Sequence, residues 1–197
     1  MNFKWQKIET VYREVRPSRH GAEQRWILNQ ETIANLTTGE TVTRGTIRHP
    51  GICVIIPSFD DGRLLLMRQY RYPAGEAIWE LPAGTIAGRE ENGRMVATEL
   101  PEICAERELR EETGYQARNL RHLGSCYAMP GSSDEMIHLF AATGLTAGDQ
   151  SLDIGEVIEE LRAFSRNEVL AMIASGEIRD AKTIVALALF LGLSAGG

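Results

Sequence analysis

The densest hydrophobic stretch in the first half of the chain is Gly51-Ile52-Cys53-Val54-Ile55-Ile56-Pro57, free of charges and closed by proline. A continuous apolar run of that length predicts a strand covered on both faces. Asp60-Asp61-Gly62 supplies a tight turn, and Arg63 to Tyr70 returns as the partner strand of a hairpin. Upstream, residues 1 to 47 carry only short alternating runs: Val11 to Val15, Arg25 to Leu28, and Thr41 to Ile47 after a turn at Thr38-Gly39-Glu40. That segment has too few large apolar residues to fold alone, so it is expected to pair with the rest of the chain or with a second subunit. Further strands are predicted at Trp79 to Gly84, entering a glycine loop, at Leu120 to Tyr127, and at Met136 to Thr143.

Between these strands lie three helical patterns. The first opens at Pro101, suited to a first helical position, with Glu102 in the first turn, and closes after Glu112 with Thr113-Gly114. The second covers Arg166 to Ala174 and stops at Ser175-Gly176. The third, Asp180 to Leu193, carries few charges after Lys182 and is expected to pack on the sheet. Mixed strands with helices on both faces give an α/β sandwich.

The formal net charge of −6 speaks against a protein that grips nucleic acid by its phosphates, which would want a basic face. A small anionic substrate stays admissible, because a local arginine cluster or a metal can reverse the sign inside one cleft. Cys53, Cys104 and Cys126 form no closely spaced pair, so they read as reduced, buried thiols, which fits a reducing cytosol. The first ten residues mix Lys4, Lys7 and Glu9 with single apolar side chains, unlike a signal peptide. The longest apolar run, Ile184 to Leu193, is too short to span a bilayer. A cytoplasmic protein with no membrane partner is therefore expected.

The chemistry concentrates in Glu106-Arg107-Glu108-Leu109-Arg110-Glu111-Glu112. On a helix, Glu108, Glu111 and Glu112 stand at i, i+3 and i+4, placing three carboxylates on one face within about 5–6 Å of each other. Their repulsion stabilises nothing. Arg107 offsets Glu111 at i+4, but the two arginines do not neutralise four glutamates. An uncompensated acidic face without histidine or cysteine suits a hard divalent cation, Mg²⁺ or Mn²⁺, better than zinc. The bland alternative is a solvated, charged helix face.

The surrounding spacing decides between them. Gly93-x5-Glu99-x7-Arg107-Glu108-Leu109-x-Glu111-Glu112-x-Gly114-Tyr115 matches every fixed position of the Nudix box, and the chain resembles the Nudix hydrolases from His49 onward. The loop Trp79-Glu80-Leu81-Pro82-Ala83-Gly84 looks like the one that feeds the box in ADP-ribose pyrophosphatases. Similar matches occur at Arg68-Gln69-Tyr70-Arg71, at Pro130 to Glu135 and at Ile178 to Thr183. In the family the loop glycine is usually the first glycine of the box. Here a nine-residue insertion separates Gly84 from that spacing, so Gly84 is taken as the structural loop and Glu99 as the first glutamate.

The resemblance implies an α/β/α Nudix sandwich with a mixed sheet over residues 48 to 197, preceded by a small antiparallel β subdomain over 1 to 47 that forms a homodimer. It implies Glu108 and Glu112 as principal metal ligands, Glu111 in support, and the Ala83 carbonyl completing the shell. Arg107 would position the glutamates by salt bridge. A general base would come from the acidic loop Asp149 to Glu160, with Glu156 first and Glu159 second. Arg71 and Arg68, cations at a strand end near Gly84, are the candidates to hold phosphates. Pro130, sixteen residues beyond Gly114, matches the proline that accompanies ADP-ribose preference in this family. Trp26, Tyr12 or Trp5 could stack on a base if the N-terminal strands reach a partner subunit. The implied reaction is Mg²⁺-dependent hydrolysis of the diphosphate of a nucleoside-diphosphate-linked small molecule, with ADP-ribose leading. The rivals are another nucleotide sugar of the GDP-mannose type and a non-catalytic ADP-ribose sensor.

Overall fold

A computed structural model describes residues 5–17, 24–152 and 157–192. Its elements are β1 (Trp5–Pro17), β2 (Gln24–Asn35), β3 (Thr41–Arg48), β4 (Ile52–Ser58), β5 (Leu64–Arg71), β6 (Glu76–Glu80), β7 (Ala83–Thr85), β8 (Gly88–Glu91), β9 (Arg94–Ala97), α1 (Pro101–Thr113), β10 (Tyr115–Tyr127), β11 (Met136–Ala147), β12 (Ile158–Phe164), α2 (Arg166–Ser175) and α3 (Ala181–Leu191). The chain divides into two compact units. One comprises residues 1–51, 85–99 and 127–136, and the other residues 52–84, 100–126 and 137–197.

In the first unit, β1, β2 and β3 form an antiparallel sheet. These strands are longer than the sequence pattern suggests, because polar residues carry most of the pairing. Glu31, 3% exposed, is compensated by Arg48 at 3.2 Å and Lys7 at 3.5 Å. The inserted segment is a hairpin of β8 and β9. Gly93, with φ of 78°, and Asn92, with φ of 52°, make its turn. Both need the left-handed region that glycine and asparagine adopt most readily. Gly93 is thus a turn residue of the insertion.

The second unit is built on a sheet of order β10-β11-β4-β5-β12, with β6 and β7 attached to β5 and β4. The β4–β11 pair is parallel and β5 is antiparallel to β12 and β6, so the sheet is mixed as expected. Alternation along β4 covers both faces. Val54 and Ile56 join the core cluster with Ala186 and Leu187 of α3 and with Val169 and Met172 of α2. Cys53 points the other way, its thiol donating to the Pro101 carbonyl of α1 at 3.0 Å. Each fully buried aliphatic side chain in such a core contributes roughly 1.5–3 kcal/mol. Among the described residues no helix is long and apolar enough to cross a membrane.

The predicted helix starts and stops hold closely. Pro101 is the first residue of α1 and Gly114 its left-handed cap, with φ of 74°. Ser165 and Glu168 form a reciprocal capping box on α2, and Gly176 closes it. Several strand boundaries differ: Trp79 to Gly84 is divided between β6 and β7, and β11 runs past Thr143 to Ala147. β10 begins at Tyr115, directly after the cap of α1, where Leu120 was expected. Ile158 to Phe164, half of which was read as acidic loop, is strand β12 paired with β5.

Candidate active site

The helix α1 delivers its glutamates as the 3.6-residue period requires. Glu108 is 8% exposed and Glu112 2%, with Glu111 half-buried beside them and Glu106 exposed. Burying two carboxylates one helical turn apart is costly unless each is bonded. Arg107 Nη1 donates to Glu108 Oε1 at 2.5 Å and to Glu111 Oε2 at 3.2 Å. Glu112 Oε2 accepts from the Ala83 amide at 2.8 Å. Arg107 is thus ion-paired with both Glu108 and Glu111.

The loop at Ala83-Gly84 lies directly against this helix. A Cβ built on Gly84 would fall well inside 3.0 Å of all three atoms of the Glu108 carboxyl group. The carboxylate occupies the space that any side chain at position 84 would need, which explains why glycine stands there. Cys104 backs the loop, its thiol 3.7 Å from the Gly84 carbonyl. Its hydrogen bond with Cys53, followed by burial, pushes the Cys104 thiol well above the ordinary range, so it stays protonated at neutral pH. Cys53 and Cys104 are buried as expected, whereas Cys126 is only half-buried.

An ionic network that sequence inspection missed adjoins the loop. Glu80, fully buried, receives Arg71 through Nε at 2.7 Å and Nη2 at 2.9 Å, and Lys182 Nζ at 2.6 Å. Lys182 also pairs with Asp180 at 2.9 Å. Asp180 caps α3 by accepting from the Thr183 amide at 3.0 Å and hydroxyl at 2.6 Å. The Thr183 hydroxyl oxygen in turn accepts the Leu81 amide at 2.9 Å. Residues 80 and 81 are thus gripped by the first turn of α3, and Ala83 by Glu112 of α1. Burial works against the charge of Arg71, but its bond to Glu80 and the charges of Glu80, Glu112 and Asp180 outweigh that and raise its pKa above the usual value. The signal available in sequence was Glu80 itself, a carboxylate between Trp79 and Leu81 in an apolar strand.

Some expected site residues stand elsewhere. Arg68 and Arg71 are three apart on β5 and leave it on opposite faces, so they do not converge. Arg68 is half-exposed and lies 3.7 Å from Glu159. Glu159 belongs to β12, not to the acidic loop in which it was expected. Glu156 lies outside the described residues, as does the side chain of Tyr12. Pro130 is exposed in the turn between β10 and β11 of the first unit. Trp26, half-buried in β2, pairs in register with Arg16, and Trp5 in β1 is 47% exposed.

The donor set on α1 is all oxygen, which fits a hard divalent cation. Among the described residues no three histidine, cysteine, aspartate or glutamate side chains converge closely enough to hold an ion as they stand. Arg107 and the Ala83 amide hold one oxygen each of Glu108, Glu111 and Glu112.

Comparison with known proteins gives a consistent picture. A family model described as the NUDIX domain matches residues 47–187. An ADP-ribose pyrophosphatase from Bacillus subtilis (strain 168) is 34% identical over 153 residues, covering 77% of this chain and 78% of the relative. A GDP-mannose pyrophosphatase from Yersinia enterocolitica is 35% identical over 143 residues, covering 71% and 72%. A crystal structure described as an ADP compounds hydrolase superposes with a TM-score of 0.71 at 20% identity, covering 95% of this chain and 94% of that one.

Proposed function

We propose, on the premise that the chain belongs to the Nudix domain family and is a Nudix hydrolase, that it cleaves the diphosphate of a nucleoside diphosphate sugar, ADP-ribose foremost, giving AMP and ribose 5-phosphate. The observation that carries this reading is the set of three glutamates on one face of α1 with Ala83-Gly84 pressed against them. Glu108 and Glu112 would hold Mg²⁺, or Mn²⁺ in its place, with Glu111 and the Ala83 carbonyl completing the shell. Divalent cations bound there would neutralise the diphosphate and lower the pKa of a bound water.

The chain's own residues do the rest. Arg107 keeps Glu108 and Glu111 oriented when they are not engaged. Arg71, anchored by Glu80, keeps one guanidinium nitrogen, Nη1, outside that bidentate pair and offers it to a phosphate oxygen. The water-activating base in this reading is Glu156. For Pro130 and Trp26 the family likeness alone supports a part in nucleotide recognition. A homodimer in the cytoplasm, without a nucleic-acid partner, completes it. The support is the acidic net charge of −6 and the family likeness.

A second reading, a GDP-mannose-type substrate, is favoured by the Yersinia relative, because the diphosphate chemistry is shared and only base and sugar pockets differ. A sensor without catalysis is disfavoured by the full complement of Glu108, Glu111 and Glu112. Measuring kcat/KM with Mg²⁺ for ADP-ribose, GDP-mannose, NADH and diadenosine polyphosphates tests the proposal. ADP-ribose should be turned over best. Turnover of none of the four contradicts it.

A further inference from the structure

We propose that Gln69 is a specificity-determining residue of this site, its side-chain carbonyl accepting a hydrogen bond from a sugar hydroxyl of the bound nucleotide sugar. The inference deepens the reading above and rests on it. Among the described residues, Gln69 Oε1 is the one buried side-chain oxygen or nitrogen without a hydrogen-bond partner, in a residue only 3% exposed. Folded proteins rarely leave such an atom orphaned, because an unpaired buried carbonyl costs its desolvation without return. An acceptor kept in that condition is explained when a ligand supplies the donor.

The sheet register places it. Met67, Gln69 and Arg71 alternate onto one face of β5. Across the β5–β6 pair, Met67 faces Glu80, Gln69 faces Ile78 and Arg71 faces Glu76. Glu80 and Arg71, joined by their bidentate bond, therefore share a face with Gln69, and Glu80 stands two register pairs along, opposite Met67. On the other side Gln69 is opposite Ile158 of β12. Neither isoleucine side chain can donate a hydrogen bond.

The chemistry of the donor follows. The oxygen can only accept, so neither a phosphate nor a carboxylate satisfies it. In a nucleoside diphosphate sugar, the groups next to the diphosphate are two sugars, each rich in hydroxyl donors, and the base stands one ribose farther out. An acceptor beside Arg71 is within the zone of those hydroxyls. A site built to bond a hydroxyl discriminates strongly against analogues that lack it.

The test uses Gln69→Met, which keeps chain length and removes the acceptor. Wild type and variant are compared with Mg²⁺ on three substrates: ADP-ribose, the methyl ester of ADP, which lacks the terminal sugar, and a 2′,3′-dideoxyadenosine analogue of ADP-ribose. The wild type should prefer ADP-ribose over one of the two analogues. The variant should lose that preference by about tenfold while melting no lower than wild type, since an unpaired carbonyl has been removed. Which analogue escapes the loss identifies the sugar. If Gln69→Met does not fold, Gln69→Leu is read in the same way. An equal loss on all three substrates, an undiminished preference, or a lower melting temperature with the preference intact overturns the assignment of Gln69 alone. A wild type that turns over none of the three defeats the hydrolase reading, and the role of Gln69 falls with it.

Discussion

Gly84→Ala is the smallest change that should separate the chemistry of this protein from its stability. Position 84 has an ordinary backbone conformation, so alanine introduces no torsional strain of the left-handed kind. The added methyl would nevertheless sit inside 3.0 Å of the Glu108 Cδ, Oε1 and Oε2 atoms. Restoring contacts of about 3.5–4.0 Å from a Cβ that would stand 1.8 Å from Glu108 Cδ requires the carboxylate to retreat by roughly 1.7–2.2 Å. The obstacle is the end of a flexible side chain, so the fold adjusts at a cost of about 1 kcal/mol, at the low end of overpacking penalties. The proposed metal site does not adjust. Misplacing a ligand that far weakens metal affinity by about 10–100-fold, judged from the effect of losing groups that orient ligands. ADP-ribose hydrolysis titrated with Mg²⁺, alongside Mn²⁺ binding by calorimetry, should show at least a tenfold rise in the metal concentration needed. The melting temperature should fall by only a few degrees. An unchanged metal requirement in a folded Gly84→Ala protein would refute the assignment of Glu108.

Three other outcomes follow from the same contacts. Thr183→Val leaves the buried Leu81 amide unpaired, which should destabilise the protein by about 1–3 kcal/mol. Thr183→Ser should restore both melting temperature and kcat, and failure of serine to rescue would contradict the hydroxyl's role. Glu80→Gln strips Arg71 and Lys182 of their shared counter-charge. A loss near 3 kcal/mol, seen as a melting point lower by roughly 6–12 °C, is expected, and a neutral result would count against the network. Glu168 has its pKa lowered by the Ser165 hydroxyl and amide. Its contribution is complete above the unfolded carboxylate pKa and disappears as pH drops through the lower folded value. Glu168→Gln should therefore flatten part of the acid limb of a stability–pH profile, and an identical limb would exclude the capping box as its source.

The legible parts of this molecule were those encoded locally. Pro101 and Gly114 announce the ends of α1 within fourteen residues of each other, and the glutamates between them follow from helical periodicity alone. The apolar run of β4 and the turn at Asp60-Asp61-Gly62 are equally local. What escaped is nonlocal or polar. β12 has a single buried residue, Phe164, and its Ile158-Glu159-Glu160 start resembles the acidic loop before it. Only pairing with β5 makes it a strand. β1 and β2 are polar ribbons whose length comes from their register with each other, not from a hydrophobic stripe. The contact of Glu80 with Lys182 spans 102 residues, and no spacing rule links positions so distant. Arg68 and Arg71 looked equivalent as a pair of strand-end cations, yet an odd separation on a strand sends them to opposite faces.

The most direct measurement is steady-state hydrolysis of ADP-ribose by wild type and by Glu112→Gln, each with saturating Mg²⁺ and again with EDTA. Glu112 is 2% exposed and bonded to the Ala83 amide, which the glutamine carbonyl can still accept, so the variant should remain folded. The expected result is Mg²⁺-dependent turnover in the wild type, abolished by EDTA and reduced by orders of magnitude in the variant. Comparable turnover by Glu112→Gln, or turnover that survives EDTA, would contradict the claim that the glutamates of α1 carry the chemistry.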